Sequence, residues 1–413
     1  MTETEQAATA STSSTHRQMA PVDDQVAVLM SGVDYGDAEL KRQMERELRS
    51  LLAQDRPLKV YLGVDPTATS LTLGHTVPLR KLRQFQEFGH HAIFLIGDYT
   101  ALIGDPSDKN KLRPMLTQED IKANEATYFE QAARILDPGQ TELRHNSEWL
   151  SKLDFPAIIS LMSKFTAAEM LRRDNFRLRW DAGDAVYLHE FLYALMQGYD
   201  AFALECDVQV GGTEQLFNLM AGRKIQEDAG QRPHVPVTMP ILVGLDGKER
   251  MSKSKGNHIG VNDPPQEQYG KAMSLPDEAV MSFFVLATNV PRTELPAIQQ
   301  EIERDPMGAK KRLARTIVFE FYGEAAAEAA EAGFERTVQR KEMPDDIPEF
   351  ALEGSVTLID VLVAAGAAPS KREARRLFEQ HAVTVDGLPV EATAAAQRGM
   401  VVQVGKRRWL RLV

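Results

Sequence analysis

The stretch Leu58–Asp98, "LKVYLGVDPTATSLTLGHTVPLRKLRQFQEFGHHAIFLIGD", decides the fold. "LKVYLGV" is a continuous apolar run with β-branched and aromatic members, the mark of a strand buried on both faces. A Pro/Thr/Ser/Gly loop follows. Val77, Leu79, Leu82, Phe85 and Phe88 then recur at helical spacing, and Gly89 stands where a glycine cap ends a helix. "AIFLIGD" is a second short buried strand. Strand, helix and strand with short links make a βαβ unit, hence a Rossmann-like parallel sheet covered by helices. Ligands of such sheets sit outside the carboxyl ends of the strands, where both loops of this unit lie.

Further along, "DVQVGG" (207–212) and "VTMPILVG" (237–244) are predicted strands, with Thr213 opening the helix "EQLFNLMAGRKIQ". Residues 155–181 have a basic, helical pattern. The expected organisation is a leader over 1–24, a catalytic α/β domain over 25–262 with a helical insertion near 145–190, and a mobile loop over 246–258. A helical domain over 263–345, an acidic, proline-marked linker over 346–353 and a small α/β module over 354–413 complete it. In the last module an amphipathic helix precedes an Asp-Gly hairpin, Asp386-Gly387.

A chain of 413 residues is too long for one ordinary core. No apolar run approaches the roughly 18 residues of a membrane span. The net charge of −11 argues against indiscriminate coating of DNA or RNA, which rests on Lys and Arg at phosphates. Residues 371–413 oppose that sign, with nine Lys/Arg against four Asp/Glu, or +5. An RNA contact is expected there, through Lys371, Arg372, Arg375, Arg376, Lys406, Arg407 and Arg408. A single cysteine, Cys206, excludes an internal disulfide and suits a reducing compartment. The leader, rich in Ser, Thr, Ala and Gln, lacks the apolar core of a signal peptide, so a cytoplasmic protein is expected.

Three constellations could hold chemistry. Gly74 and His75 open a helix whose unpaired N–H groups favour an anion, although "LGH" alone also fits an ordinary capped surface helix. "DGKERMSKSKGNH" (246–258) interleaves Lys248, Arg250, Lys253, Lys255 and His258 with Ser, Gly and Asn, as a loop closing on a polyphosphate would; a solvated basic loop has the same look. In "YLHEFLYALMQGYDAF" (187–202), Tyr193, Gln197 and Asp200 fall on one helical stripe, which lines a polar pocket or faces water.

Together these segments carry a resemblance. "YLGVDPTATSLTLGH", "GDYTALIGDPSDKNK", "YALMQGYD", "QVGGTEQLFN" and "ERMSKS" resemble, in this order, the bacterial tyrosyl-tRNA synthetases of class I, and "SKREARRLFEQHAVTVDG" resembles the S4-type RNA-binding domain that ends them. The likeness spans nearly the whole chain after the leader. It implies activation of L-tyrosine with ATP and transfer to tRNA(Tyr), by a homodimer joined near residues 145–190. No cofactor is held permanently, and Mg2+ arrives with ATP; neither DNA nor a membrane is a partner.

By the same resemblance Tyr61 and Asp200 would bind the substrate phenol. Asp105, Tyr193 and Gln197 would hold its ammonium, with Gln215 near its carboxylate. Gly63, Asp65, Gly74, His75, Gly212, Glu214 and Lys253 would cradle ATP, the carboxylates meeting its ribose. Thr67, Thr72, Lys109, Arg113, Arg250 and Lys253 would face the departing pyrophosphate.

Four positions depart from the family's habit: Thr72 replaces a histidine, Glu214 an aspartate, Arg250 a lysine and His381 a glycine. A pyrophosphate-facing Thr72 implies that Thr72→His raises the activation rate. Two other readings share the motifs: a weakened paralogue kept for RNA binding, and a synthetase for another aromatic amino acid. The pairing of Tyr61 with Asp200 disfavours the latter.

Overall fold

Strand β1 (Lys59–Val64) lies at the centre of a five-stranded, wholly parallel sheet in the computed structural model. The other strands are β2 (His91–Ile96), β3 (Thr141–His145), β4 (Val208–Gly212) and β5 (Val235–Met239), in the order β3-β2-β1-β4-β5. The strand order reverses at β1, and the crevice between β1 and β4 opens at their carboxyl ends. The structure describes residues 19–107, 116–336, 347–352, 356–405 and 408–413. Lys109, Arg113, Lys406, Arg407 and most of the leader lie outside them.

The chain divides into two compact units, one running through Asn262 with Val285–Asn289, the other comprising Asp263–Phe284 and Val290–Val413. In the first, β2 is buried at all but its first residue and β1 at its centre, residues 60–62, as their apolar runs require. The helix between them spans Leu73–Glu87, four residues earlier than periodicity alone indicates, because the N-cap falls at Thr72. Gly89 follows it at φ +87°, a left-handed conformation that glycine adopts without penalty.

The strand expected over 237–244 instead covers Val235–Met239. Pro240 has no N–H to extend the ladder, whereas Pro236 is tolerated because β5 is an edge strand. β3 has no counterpart in the sequence reading. It is the opposite edge, and "TELRH" lacks the apolar run that marks the buried strands. The insertion is helical as its pattern indicates, with helices Phe155–Met162, Ala167–Leu171 and Asp174–Asp181. A further helix, Val22–Leu29, begins within the segment read as leader.

In the second unit, helices Pro265–Ala272, Leu295–Arg304, Pro306–Tyr322 and Glu324–Phe334 precede a small mixed sheet. That sheet runs β6 (Glu349–Phe350), β10 (Arg408–Leu412), β9 (Val401–Val404), β7 (Val383–Val385) and β8 (Leu388–Pro389). Asp386 and Gly387, at φ +49° and +82°, make the hairpin turn. The helix Lys371–Glu379 buries Ala374 and Phe378 against this sheet's core and leaves Lys371, Arg372, Arg375 and Arg376 exposed. His381 just beyond it has φ +53°, so the position favours glycine for backbone reasons and the histidine is held there at some strain.

Candidate active site

A cleft of about 210 Å³ opens where β1, β2 and β4 end. Its walls include Tyr61, Gly63, Asp65, Thr67, Thr72, Gly74, His75, Asp105, Tyr193, Gln197, Asp200, Gly212, Glu214, Gln215 and Arg250. Five separate sequence segments, around residues 61–75, 105, 193–200, 212–215 and 250, thus converge on one cavity.

At its closed end Tyr61, fully buried on β1, donates its hydroxyl to the Gln197 carbonyl at 3.4 Å. Asp200 is 3% exposed and accepts from Trp149 Nε1 at 2.8 Å and Asn146 Nδ2 at 3.3 Å. Burial pushes both groups well above their usual pKa ranges, against the two donors in the case of Asp200. Asn146 is itself oriented, taking the Tyr99 N–H at 2.9 Å and donating to Thr100 Oγ1 at 3.0 Å. This end is a polar socket in an apolar wall, with the chemistry to pair a hydroxyl. Tyr193, Gln197 and Asp200 share the helix Leu188–Leu204, and all three are buried, so their stripe faces the interior.

Midway, Asp65 accepts from Tyr193 Oη at 2.9 Å and from Thr100 Oγ1 at 2.8 Å. A Cβ at Gly97 would collide with both Asp65 Oδ1 and Thr100 Oγ1, which is why glycine stands there. Asp105 accepts from Gln215 Nε2 at 3.1 Å and from the Ser107 N–H at 2.8 Å. Ser107 Oγ is a hub: Arg173 Nη2 donates to it at 3.0 Å and Asn218 Nδ2 at 3.1 Å, and Asn218 also reaches Gln197 Oε1 at 2.9 Å. Arg173 stacks on Phe217 and Phe176, and its burial lowers its pKa to about 10.

The open end is mixed in charge. Glu214 sits against Gly212; burial, then the charge of Asp105, raises its pKa to about 7. Its Oε2 is buried without a hydrogen-bond partner. His75 opens onto the cleft, yet protein atoms crowd the ring; that crowding, then Lys253 and Arg250, lowers its pKa to about 4. Lys253 Nζ donates to the Ser70 carbonyl. The loop that bears it is closed by Asn257, whose side chain meets Asp246 Oδ2 at 2.9 Å, the Arg250 carbonyl at 3.1 Å and the Ser252 N–H at 2.8 Å.

Of the residues singled out in sequence, Lys253 is not in the cleft wall, and Lys109 and Arg113 are outside the described residues. Asn146, Trp149, Thr100, Ser107, Asn218 and Arg173 were not anticipated. Thr100, Ser107 and Asn218 lie inside the quoted stretches "GDYTALIGDPSDKNK" and "QVGGTEQLFN" without a role assigned to them there, whereas Asn146, Trp149 and Arg173 support the cleft from segments with no motif of their own, where only "SEW" after a polar strand is a hint.

Residues 53–339 match the family described as tRNA synthetases class I (W and Y), and 339–409 match the Tyrosine--tRNA ligase SYY-like C-terminal domain. A tyrosine–tRNA ligase of Mannheimia succiniciproducens is 46% identical over 392 residues, covering 93% of this chain and 99% of that protein. One of Moorella thermoacetica is 48% identical over 397 residues, covering 94% and 95%. Among solved structures, a truncated mitochondrial tyrosyl-tRNA synthetase of Aspergillus nidulans aligns with TM-score 0.60 at 26% identity, over 75% of this chain and 92% of that one. The Archaeoglobus fulgidus enzyme, complexed with L-tyrosine, has the same fold at 22% identity and TM-score 0.60, over 75% and 100%.

Proposed function

The chain belongs to the class I tyrosyl-tRNA synthetases, and from that premise we propose how its residues divide the reaction. The enzyme activates L-tyrosine with ATP, giving tyrosyl-adenylate and pyrophosphate, and then transfers tyrosine to the 3′ end of tRNA(Tyr). Tyr61 and Asp200 read the phenol hydroxyl. Asp105, Tyr193 and Gln197 take the ammonium, with Gln215 beside the carboxylate that attacks the α-phosphate. Gly63, Gly74 and Gly212 let ATP approach the backbone; His75 donates to a phosphate; Asp65 and Glu214 face the ribose. Arg250 and Lys253, with Lys109 and Arg113, neutralise the pyrophosphate as it leaves, and Thr67 donates its hydroxyl to it.

The observation that carries this reading is the socket formed by Tyr61 and Asp200. A buried carboxyl held by two donors recognises a hydroxyl and is stranded by a substrate that lacks one. At the other end, the unpaired Glu214 Oε2 calls for a donor, which a ribose hydroxyl supplies. No covalent nucleophile is needed: in-line displacement at phosphorus is served by positioning and by charge that follows the leaving group. Magnesium would enter with ATP, as part of that substrate, and supply positive charge at its phosphates.

The C-terminal module gives the tRNA contact, through exposed Lys371, Arg372, Arg375, Arg376 and Arg408, with Lys406 and Arg407. The location is the cytoplasm, where charged tRNA is used; among the described residues no helix is long and apolar enough to cross a membrane. Tyrosine-dependent exchange of labelled pyrophosphate into ATP is the direct test, and a chain that exchanges only with tryptophan overturns the assignment. Ending the chain before Ala351 is expected to spare that exchange and depress tRNA charging at least tenfold, on the order of two lost phosphate contacts. Equal losses in both steps would refute the division of labour.

The enzyme is a homodimer joined through the insertion. Phe155, Ile159, Leu178, Trp180 and Leu188 leave large apolar side chains in water, Leu188 being 80% exposed and Phe155 73%. So many exposed large apolar side chains within one insertion support an interface there. Light scattering of the purified chain at micromolar concentration should give twice the 46.0 kDa chain mass, and Trp180→Asp with Leu188→Asp should give the single mass. A wild-type monomer rules the dimer out.

A further inference from the structure

We infer that Thr72 acts on the reaction through His75, as a positioning residue that fixes which ring nitrogen bears the proton, and does not touch pyrophosphate. The inference rests on the reading of His75 as a phosphate-facing donor.

Thr72 is 2% exposed and occupies the N-cap of the helix Leu73–Glu87 in an extended conformation. Its own N–H donates to His75 Nδ1 at 3.1 Å, and its hydroxyl oxygen lies 2.9 Å from the same nitrogen. A peptide N–H can only donate, so Nδ1 must accept and bears no proton. The hydroxyl then adds a second donor to that lone pair. The ring proton is left on Nε2, on the side turned away from the cap and available to the cleft.

The backbone around Thr72 cannot swing to change this. Leu73 N–H donates to the Ile259 carbonyl at 2.9 Å and Val261 N–H to the Leu71 carbonyl at 3.0 Å, so the segment is stapled on both sides. Thr72 also bridges Gly260. A protonated ring would point an Nδ1–H at the Thr72 amide donor, and the loop cations Arg250 and Lys253 oppose a third positive charge. Asp65, Asp105 and Glu214 line the same cleft, but the first two are already engaged by Tyr193, Thr100, Gln215 and Ser107. His75 therefore presents a neutral N–H donor whose orientation is set from behind by Thr72. Thr72 thus serves His75, not the leaving group.

The test uses the full chain. Thr72→Val keeps the shape and the backbone donor but removes the hydroxyl. It should lower the rate of tyrosyl-adenylate formation roughly two- to tenfold, the loss of one hydrogen bond, with the tyrosine KM unchanged. Thr72→Ser should restore the rate. Thr72→His should not raise it, because an imidazole overfills a site with 2% exposure. Nitrogen-15 NMR of histidine-labelled protein, with His75 assigned through His75→Asn, should show a neutral ring protonated at Nε2 at pH 7, and a tautomer mixture in Thr72→Val. A wild-type ring protonated at Nδ1, an imidazolium, a Thr72→Val rate equal to wild type, or a faster Thr72→His enzyme would each overturn the inference. Absence of exchange in the unsubstituted chain would instead strike the functional reading, and the NMR result would still decide the tautomer.

Discussion

Replacing Asp200 with alanine is expected to lower kcat/KM for tyrosine by about 10²–10³ while leaving phenylalanine nearly untouched. The carboxyl lies buried at the closed end of the cleft, held by Trp149 Nε1 and Asn146 Nδ2. Its loss removes the bond to the substrate hydroxyl and leaves that hydroxyl unpaired in a buried pocket, together roughly 3–4 kcal/mol of transition-state binding. Phenylalanine never made the bond, so the ratio of the two specificity constants should fall by nearly the whole factor. Tyrosyl-tRNA synthetases are the type case for rejecting an analogue that lacks a hydroxyl, and the familiar factor of about 10⁵ belongs to that type case. Pyrophosphate exchange with each amino acid measures the ratio; an unchanged ratio would contradict the socket. Asp200→Asn keeps an acceptor oxygen and should fall between.

Arg179→Ala should destabilise the enzyme by about 3–5 kcal/mol, a large part of the roughly 5–15 kcal/mol that holds a domain together. Arg179 and Glu190 pair at 2.5 and 2.9 Å with side chains only 3% and 4% exposed. Glu190 Oε1 also accepts the Tyr187 N–H at 2.9 Å, and Arg179 donates to the Ala185 carbonyl. The pair therefore braces the helix Asp174–Asp181 against the start of the helix that presents Tyr193, Gln197 and Asp200. Removing one partner leaves the other charge buried, whereas Arg179→Met with Glu190→Met removes both charges and should cost far less. Urea unfolding followed by circular dichroism distinguishes these outcomes. A midpoint for Arg179→Ala close to wild type would show that water reaches the abandoned carboxylate. Arg179→Lys should recover only part of the loss, because an ammonium cannot reproduce the two-pronged contact.

Both effects depend on partners that the motifs did not single out. Asp200 was legible from its stripe with Tyr193 and Gln197, but Trp149 and Asn146, which give it its character, lie about fifty positions away in a segment with no periodic signal. Glu190 is in the quoted "YLHEF" stretch and reads there as an ordinary first-turn acid; only its burial against Arg179 distinguishes it. The same holds for Thr72. The family resemblance implied a pyrophosphate contact for it, and its geometry makes it a cap whose N–H and hydroxyl face a ring nitrogen.

What the sequence determined by itself is whatever depends on neighbours along the chain. The apolar runs of β1 and β2, the helical period of Leu73–Glu87, the stripe of Leu188–Leu204 and the Asp-Gly turn are local patterns, and local sterics and burial suffice to read them. The edge strand β3, the end of β5 at Pro240, the Arg173–Ser107–Asn218 hub and the orientation of His75 depended on the tertiary structure. Each is a matter of which distant donor meets which acceptor once the sheet has brought the strand ends together. A one-dimensional pattern holds no record of that pairing, since the free energy of a buried polar group is set by the partners that surround it in space.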